Sequence, residues 1–213
     1  MLLKEERELI VQYGKKLLTE GLVRGTGGNI SIFDRQSGLM AITPGGMDYM
    51  SLTPDDIVVM TLGGNDMHSS RKPSSEWRMH AGLYAAREDF SAVVHTHSPA
   101  AAAVASLRIP LPAVNYLTAL ASDGEIPCAD YAVFGSRELA ENAVKAMEKS
   151  SVCFLANHGL LAAADSLPKA FSLAGETEFC CDVYLRAKAA GEPVALTKEQ
   201  IAQIRESLKG YGQ

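Results

Sequence analysis

The sequence has no excess of basic residues and no long apolar run. Its 213 residues include 20 Lys and Arg against 25 Asp and Glu, a net charge of −5, with no basic stretch suited to a phosphate backbone. Its apolar runs are far shorter than the roughly 20 residues that a membrane-spanning helix needs. We therefore expect neither a nucleic acid nor a membrane among its partners.

Cysteine is scarce, and the N-terminus lacks the pattern of a signal peptide. The four cysteines form no C-x-x-C pair, and Cys180 and Cys181 are adjacent in a helical pattern, which makes them poor disulfide partners. The segment MLLKEERELI carries acids where a signal peptide would carry basic residues and an apolar core. These features predict a reduced, cytoplasmic protein.

The composition that remains is that of an ordinary globular domain. Hydrophobic residues make up 47 % of the chain and charged residues 21 %, without an internal repeat, a low-complexity tract or a linker. Segments with the period of helices alternate with segments typical of short strands. We therefore expect one α/β domain covering residues 1–213.

The most informative segment is a strand that ends in two histidines. An apolar run, AVV, precedes His95 and His97, and Ser98-Pro99 then begins an Ala-rich helix. Residues two apart in a strand point to the same face, so both imidazoles should project together. The pair indicates a metal site, although satisfied core histidines are an alternative, and zinc needs a third and usually a fourth ligand.

A third histidine comes from another strand. SVCFLANHG is a buried strand that ends at His158, and the segment LLAAA that follows is its predicted hairpin partner. Gly159 lets the chain turn sharply or lets another group approach its backbone. Three histidines at two strand ends indicate a metal site far more strongly than any one of them does.

The best acidic candidate is Glu76, in the segment KPSSEWRMH. Ser74 or Ser75 is predicted to cap a helix that runs to about residue 87, which puts Glu76 in its first turn. There the carboxylate can equally be a capping acid that interacts with the helix dipole. His80, four residues later on the same face, is a rival ligand, although a helical histidine beside aromatic residues is more often packed.

Three short segments offer backbone N–H groups and hydroxyls to an anion. GTGGNIS joins a helix to a strand, TPGG follows a strand, and the pair Ser74-Ser75 precedes a helix. GTGGNIS lacks the lysine of a P-loop, and it precedes its strand, which also excludes a Rossmann turn. Each segment alone can be a plain turn. Beside a candidate metal site, the three together suggest a small phosphorylated substrate.

These motifs occur in the order and at the spacing of a known family. GTGGNIS, TPGG, PSSEWRMH, VVHTH, IPCADYAVFGSREL and NHGLL resemble the class II aldolase and adducin family, typified by the L-fuculose-1-phosphate aldolases, from about Gly14 to Tyr211. The resemblance implies an α/β/α sandwich around a mostly antiparallel sheet. It also implies a homotetramer with active sites between subunits.

The resemblance assigns binding roles residue by residue. The ligands that it implies for one zinc ion per subunit are Glu76, His95, His97 and His158. The residues that it implies along the substrate phosphate are Thr26, Gly28, Asn29, Gly45, Gly46, Ser74 and Ser75. Gly45 stands where the fuculose-phosphate pattern usually has a threonine, which bears on phosphate binding and on substrate preference.

Two catalytic groups and one tail residue also follow from the resemblance. Glu76 matches the acid/base that handles the proton at the nucleophilic carbon, and Tyr116 matches the tyrosine that handles the proton on the aldehyde oxygen. Tyr211 matches the tyrosine of a C-terminal flap. The implied reaction is zinc-dependent cleavage of a ketose 1-phosphate, above all L-fuculose 1-phosphate, into dihydroxyacetone phosphate and L-lactaldehyde.

Two other functions stay open within the same resemblance. One is a pentulose-5-phosphate 4-epimerase of the L-ribulose-5-phosphate type, but such epimerases carry an aspartate where this chain has Leu120 and lack a match to Tyr116. The other is an adducin-like interaction module without catalysis. Such modules lose metal ligands, whereas this chain keeps all four, so the sequence favours an aldolase.

Overall fold

A seven-stranded sheet with helices on both faces makes up the fold, in a computed structural model that describes residues 1–67 and 69–208. The strands are β1 (Asn29–Asp34), β2 (Leu39–Ile42), β3 (Val58–Thr61), β4 (Ala92–Thr96), β5 (Cys128–Ala129), β6 (Val152–Leu155) and β7 (Gly159–Ala164). The helices are α1 (Lys4–Thr19), α2 (Trp77–Ala86), α3 (Pro99–Leu107), α4 (Arg137–Ala146), α5 (Leu167–Ala190) and α6 (Lys198–Leu208). None of the helices among the described residues has the length and apolar character to cross a bilayer.

The sheet has the order β3-β2-β1-β4-β7-β6-β5, and each neighbouring pair is antiparallel except β5 with β6. The predicted hairpin of β6 and β7 is confirmed, with Phe154 opposite Leu160. The mostly antiparallel sheet implied by the family resemblance is also confirmed. Apolar runs alone did not give strand directions, because a buried strand has the same pattern in either orientation.

Alternate residues of each central strand enter two separate hydrophobic cores. In β4, Val94 packs into the core beneath α1, α3 and α5, whereas Val93 packs into the core beneath α2 and α4. Both side chains are fully buried. A strand that is covered on both faces needs a continuous apolar run, which explains the sequence AVV. The three-layer α/β/α arrangement is therefore confirmed.

The helix expected to start at Ser74 or Ser75 begins later. α2 starts at Trp77, and Glu76 occupies its N-cap position without any side-chain capping hydrogen bond. Ser74 lies just before this helix, where its Oγ accepts the Glu76 N–H at 3.3 Å and its carbonyl accepts the Trp77 N–H at 3.2 Å. The Glu76 carboxylate does not cap the helix, which leaves it to other partners.

Candidate metal centre and active site

Two neighbouring parts of the sheet bring three imidazoles together. His95 lies in β4 and His97 directly follows that strand, whereas His158 lies in the turn between β6 and β7. Since β4 pairs with β7, the β6–β7 turn lies beside the end of β4. Glu76 approaches the same point from the start of α2. The four predicted ligands thus come from three separate parts of the chain.

Four ligand atoms converge at this point. His95 Nε2 lies 2.9 Å from His97 Nε2 and 3.3 Å from His158 Nε2. Glu76 Oε2 lies 3.3 Å from His95 Nε2, and Glu76 Oε1 lies 3.5 Å from His158 Nε2. Each side chain places one ligand atom within 4.8 Å of the others. The structure therefore assembles a cluster of three imidazoles and one carboxylate.

The donor set of this cluster fits a divalent cation. Glu76 Oε1 is buried and has no hydrogen-bond partner among the described residues. Imidazole nitrogens that face one another without protons repel, and a cation between them removes the repulsion. Zinc bonds of roughly 2.0–2.1 Å in a tetrahedron separate neighbouring ligand atoms by about 3.3 Å, which is close to the distances in the cluster.

The surrounding backbone fixes the histidine rings. His95 Nδ1 donates to the Leu160 carbonyl at 2.8 Å, which directs its Nε2 into the cluster as the ligand atom. The ring of His97 lies between two glycines. A Cβ on Gly27 would come within 2.9 Å of His97 Nδ1, and a Cβ on Gly159 would lie 3.0 Å from His97 Cδ2 and only 2.3 Å from the Thr96 carbonyl oxygen. The close approach predicted at Gly159 is therefore present.

Burial and neighbouring polar groups set the protonation states of the candidate ligands. It lowers the pKa of His97 and of His158 to about 4, so both rings are neutral at pH 7. Burial alone would raise the pKa of Glu76, but the adjacent His95 and His158 rings and the amide of Asn29 outweigh it and hold this pKa below its usual range. An ionised Glu76 beside neutral His97 and His158 rings is the protonation state that a metal ion requires of these ligands.

His80, the rival ligand, belongs to a different environment. It is fully buried outside the cluster, and its Nε2 contacts Asn29 Oδ1, whereas Asn29 Nδ2 donates to Glu76 Oε2 at 3.0 Å. Burial lowers the pKa of His80 to about 3. Sequence reasoning missed the contact between His80 and Asn29. The spacing of polar residues could have indicated it, because Asn29 and Ser31 are two apart in a strand and His80 and Tyr84 are four apart in a helix, so each pair lies on one face.

The depressed pKa of His80 predicts a loss of stability in acid. Because the ordinary pKa is 6.5 and the folded pKa about 3, the unfolded state binds more protons between these values, and stability falls as the pH falls. From pH 7 to pH 5 we expect a loss of about 2 kcal/mol from this one group. In urea unfolding of metal-loaded samples, the free energy of unfolding should therefore fall less between pH 7 and pH 5 in His80→Gln than in the wild type. An equal fall in the two proteins would contradict the prediction.

The three predicted phosphate segments lie side by side. The Gly45 N–H donates to the Lys72 carbonyl at 3.2 Å, and the Ser74 N–H donates to the Thr43 carbonyl at 3.0 Å, which joins TPGG to the serine pair. A short contact also links Gly28 to β4, since a Cβ on Gly28 would lie 2.6 Å from the carbonyl oxygen of His95. The segments therefore border the metal ligands.

Other contacts hold the first of these segments and limit where an anion can bind. The buried hydroxyl of Tyr49, a residue that sequence reasoning missed, donates to the Gly28 carbonyl at 2.8 Å. Thr26, Gly46 and Ser75, which belong to the same three segments, are exposed. The N-terminus of α3 is already occupied, because the Glu178 carboxylate accepts the Ala100 and Ala101 N–H groups at 2.8 and 2.7 Å.

A cavity of about 400 Å³ opens beside the metal ligands. Its lining residues are Glu76, His97, His158, Asn157, Ala132, Tyr131, Val133 and Phe134. Tyr116 is not one of them: it begins the short 3-10 helix Tyr116–Leu120, is 55 % exposed, and borders another cavity against α6. Tyr211, the other predicted tyrosine, lies outside the described residues. The chain alone does not bring Tyr116 to the cavity.

The chain matches one protein family along most of its length and is similar to named aldolases. The family model described as Class II Aldolase and Adducin N-terminal domain matches residues 8–185. Over the full length of both chains, the protein is 47 % identical to 5-deoxy-D-ribulose 1-phosphate aldolase of Bacillus thuringiensis serovar kurstaki. It is 43 % identical to L-fuculose phosphate aldolase of Escherichia coli O6:H1, over 90 % of this chain and 88 % of that one.

The fold is also similar to that of a solved aldolase structure. One described as L-fuculose 1-phosphate aldolase covers 98 % of each chain with a TM-score of 0.95 and 45 % identity. Such a similarity extends through the sheet, the helices and the segments that carry the four clustered ligands. The chain therefore belongs to the class II aldolase and adducin family, and it is an aldolase of that family.

Proposed function

We propose that the protein is a zinc-dependent aldolase that cleaves a ketose 1-phosphate into dihydroxyacetone phosphate and a short aldehyde. The observation that carries this proposal is the His₃Glu cluster on the wall of a cavity, beside three segments suited to an anion. When bound, the ion supplies a Lewis acid for the substrate oxygens that gain negative charge as the carbon–carbon bond breaks. The ligands in this proposal are Glu76, His95, His97 and His158.

Glu76 is the proposed acid/base. Its Oε2 is held by Asn29, whereas its Oε1 has no hydrogen-bond partner among the described residues. The side chain also lines the cavity. A carboxylate in this position can take a proton from the nucleophilic carbon of the dihydroxyacetone-phosphate fragment, and return it in the reverse step. The same residue therefore acts as ligand and as proton carrier.

The substrate phosphate is proposed to bind where the three segments meet. Their backbone N–H groups and hydroxyls provide neutral donors that suit an anion. The proposed contacts are Thr26, Gly28, Asn29, Gly45, Gly46, Ser74 and Ser75. Since the Gly45 N–H is engaged by the Lys72 carbonyl, and glycine has no hydroxyl, we assign Gly45 a steric role in the proposal.

Tyr116 is proposed to act from a neighbouring subunit of a homotetramer. It is exposed and does not border the cavity of its own chain, so a role at the aldehyde oxygen requires a second copy. A phenol hydroxyl is both donor and acceptor, as a group must be to protonate and deprotonate an alkoxide. The assignment of Tyr116 rests on the family resemblance, and its exposure supports an intersubunit position.

The proposed substrate is a deoxyketose 1-phosphate. Tyr131, Val133 and Phe134 line the cavity and are all more than half exposed, which provides an apolar wall for a methyl-ended aldehyde. Cleaving the C3–C4 bond of 5-deoxyribulose 1-phosphate releases acetaldehyde, and L-fuculose 1-phosphate releases lactaldehyde. Because the relative at 47 % identity is named for the former sugar, we propose it as the preferred substrate.

A coupled assay for dihydroxyacetone phosphate tests this proposal. The expected result is release from both deoxyketose 1-phosphates, with the larger kcat/KM for 5-deoxyribulose 1-phosphate. L-Ribulose 5-phosphate serves as the control for the epimerase alternative and should give no epimerised product. No dihydroxyacetone phosphate from any ketose 1-phosphate, in protein that contains one zinc ion per chain, would overturn the proposal.

A further inference from the structure

A buried polar chain leads from α2 through β1 to Glu76. Tyr84 OH lies 2.7 Å from Ser31 Oγ, which lies 2.7 Å from His80 Nδ1. His80 Nε2 lies 2.5 Å from Asn29 Oδ1, and Asn29 Nδ2 donates to Glu76 Oε2 at 3.0 Å. Every one of these residues is at most 6 % exposed. We refer to Tyr84, Ser31, His80 and Asn29 as the polar chain.

The protons of the polar chain can be placed by elimination. An ionised carboxylate only accepts, so Asn29 must turn its NH₂ group to Glu76 and its carbonyl oxygen to His80. His80 Nε2 therefore carries the proton of the neutral ring, and its Nδ1 accepts the hydroxyl proton of Ser31. The proton of Ser31 Oγ is then used at His80, so Ser31 Oγ accepts from Tyr84 OH, which shares its single proton with the Ser31 carbonyl oxygen at 3.0 Å. From Ser31 to Asn29, every donor points towards Glu76.

Burial agrees with this assignment of protons. It lowers the pKa of His80 to about 3, so the ring is neutral at pH 7 and has one donor and one acceptor. In a protonated ring, Nδ1 would also carry a proton and would donate to Ser31 Oγ, which reverses the assigned hydrogen bond between these two residues. Each buried donor and acceptor in the assigned pattern has a partner, as buried polar groups require.

We propose that His80 is a positioning residue that holds the Asn29 amide with its NH₂ group towards Glu76. The opposite amide orientation would place Asn29 Oδ1 against the carboxylate and repel it. With Oε2 held, Oε1 is the oxygen left for the metal ion and for proton transfer. The catalytic consequence of this inference rests on the proposed function. The direction of the hydrogen bonds and the effect on metal binding do not depend on that function.

The simpler explanation is that the polar chain only satisfies buried groups and stabilises the core. Two amide substitutions separate the explanations. His80→Gln keeps an NH₂ group near the position of Nε2, so it can still donate to Asn29. His80→Asn reaches only the position of Nδ1, so it keeps the contact with Ser31 and loses the one with Asn29. Both variants remove the imidazole, and Ser150→Ala controls for a lost buried hydroxyl far from the site.

The experiment has three readouts in the zinc-loaded protein. Nitrogen-15 NMR of the wild-type His80 ring is expected to show Nε2 protonated and Nδ1 unprotonated. Competition with a chelator is expected to show zinc affinity reduced about tenfold in His80→Asn and within about threefold of wild type in His80→Gln. The rate of proton exchange at dihydroxyacetone phosphate should fall in the same order, through kcat rather than KM.

The outcomes separate this inference from the proposed function. A His80 ring protonated at Nδ1, or equal zinc affinities in the two amide variants at equal stability, would overturn the inference. If His80→Asn does not fold, the tautomer of the wild-type His80 ring decides, and a proton on Nδ1 with none on Nε2 would overturn the inference. If the protein has no aldolase activity while the tautomer and affinities are as expected, only the proposed function fails.

Discussion

Glu76→Gln is expected to retain zinc while losing most of its proton-transfer activity. Glutamine keeps the size of the side chain, and its carbonyl oxygen can still accept from Asn29, but an amide is not a base at neutral pH. Three imidazoles remain to hold the ion with lower affinity. We expect the exchange of the dihydroxyacetone-phosphate proton with deuterated water to slow by roughly 10² to 10⁴.

Two measurements on the same samples make this prediction specific. Metal analysis should give about one zinc ion per wild-type chain and a reduced but measurable content in Glu76→Gln. Asp56→Asn is the matched control, because it removes a buried carboxylate that pairs with Arg71 outside the site, and it should leave both zinc content and exchange intact. Exchange near the wild-type rate in zinc-loaded Glu76→Gln would show that Glu76 is a ligand only.

The histidines of the candidate site were predictable because each depends on local sequence. The alternation of a strand places His95 and His97 on one face, and Gly159 identifies the close approach beside His158. These are short-range consequences of chain geometry. The assembly of the three rings with Glu76 was implied by the family resemblance, since sequence spacing does not state which strand ends are neighbours in a sheet.

The polar chain and the start of α2 were not predictable in the same way. Ser74 and Ser75 have the composition of helix caps, but the structure puts Glu76 at the N-cap position, because Ser74 is committed to the turn that joins it to Thr43. His80 and Ser31 are 49 residues apart in sequence and meet only once α2 packs on β1. Local propensity contains no information about that contact.

Tyr116→Phe is the second variant with a large expected effect. It should fold, bind zinc and exchange the dihydroxyacetone-phosphate proton, while losing carbon–carbon bond cleavage by roughly 10² to 10⁴, because the aldehyde oxygen lacks its proton donor. Tyr13→Phe is the control, since Tyr13 packs on Phe171 away from the cavity. Equal cleavage rates in the two variants would remove Tyr116 from the mechanism.

Mixing the two inactive variants tests whether the site is shared between subunits. In a hybrid oligomer of Glu76→Gln and Tyr116→Phe chains, some interfaces pair an intact Glu76 of one subunit with an intact Tyr116 of another. If Tyr116 acts across an interface, those sites are complete and partial cleavage activity should return. If both residues act within one chain, every site lacks one group whatever the mixture. Full inactivity in hybrids verified by native mass spectrometry would therefore place Tyr116 in its own chain's site, although it is exposed and does not line the cavity of its own chain.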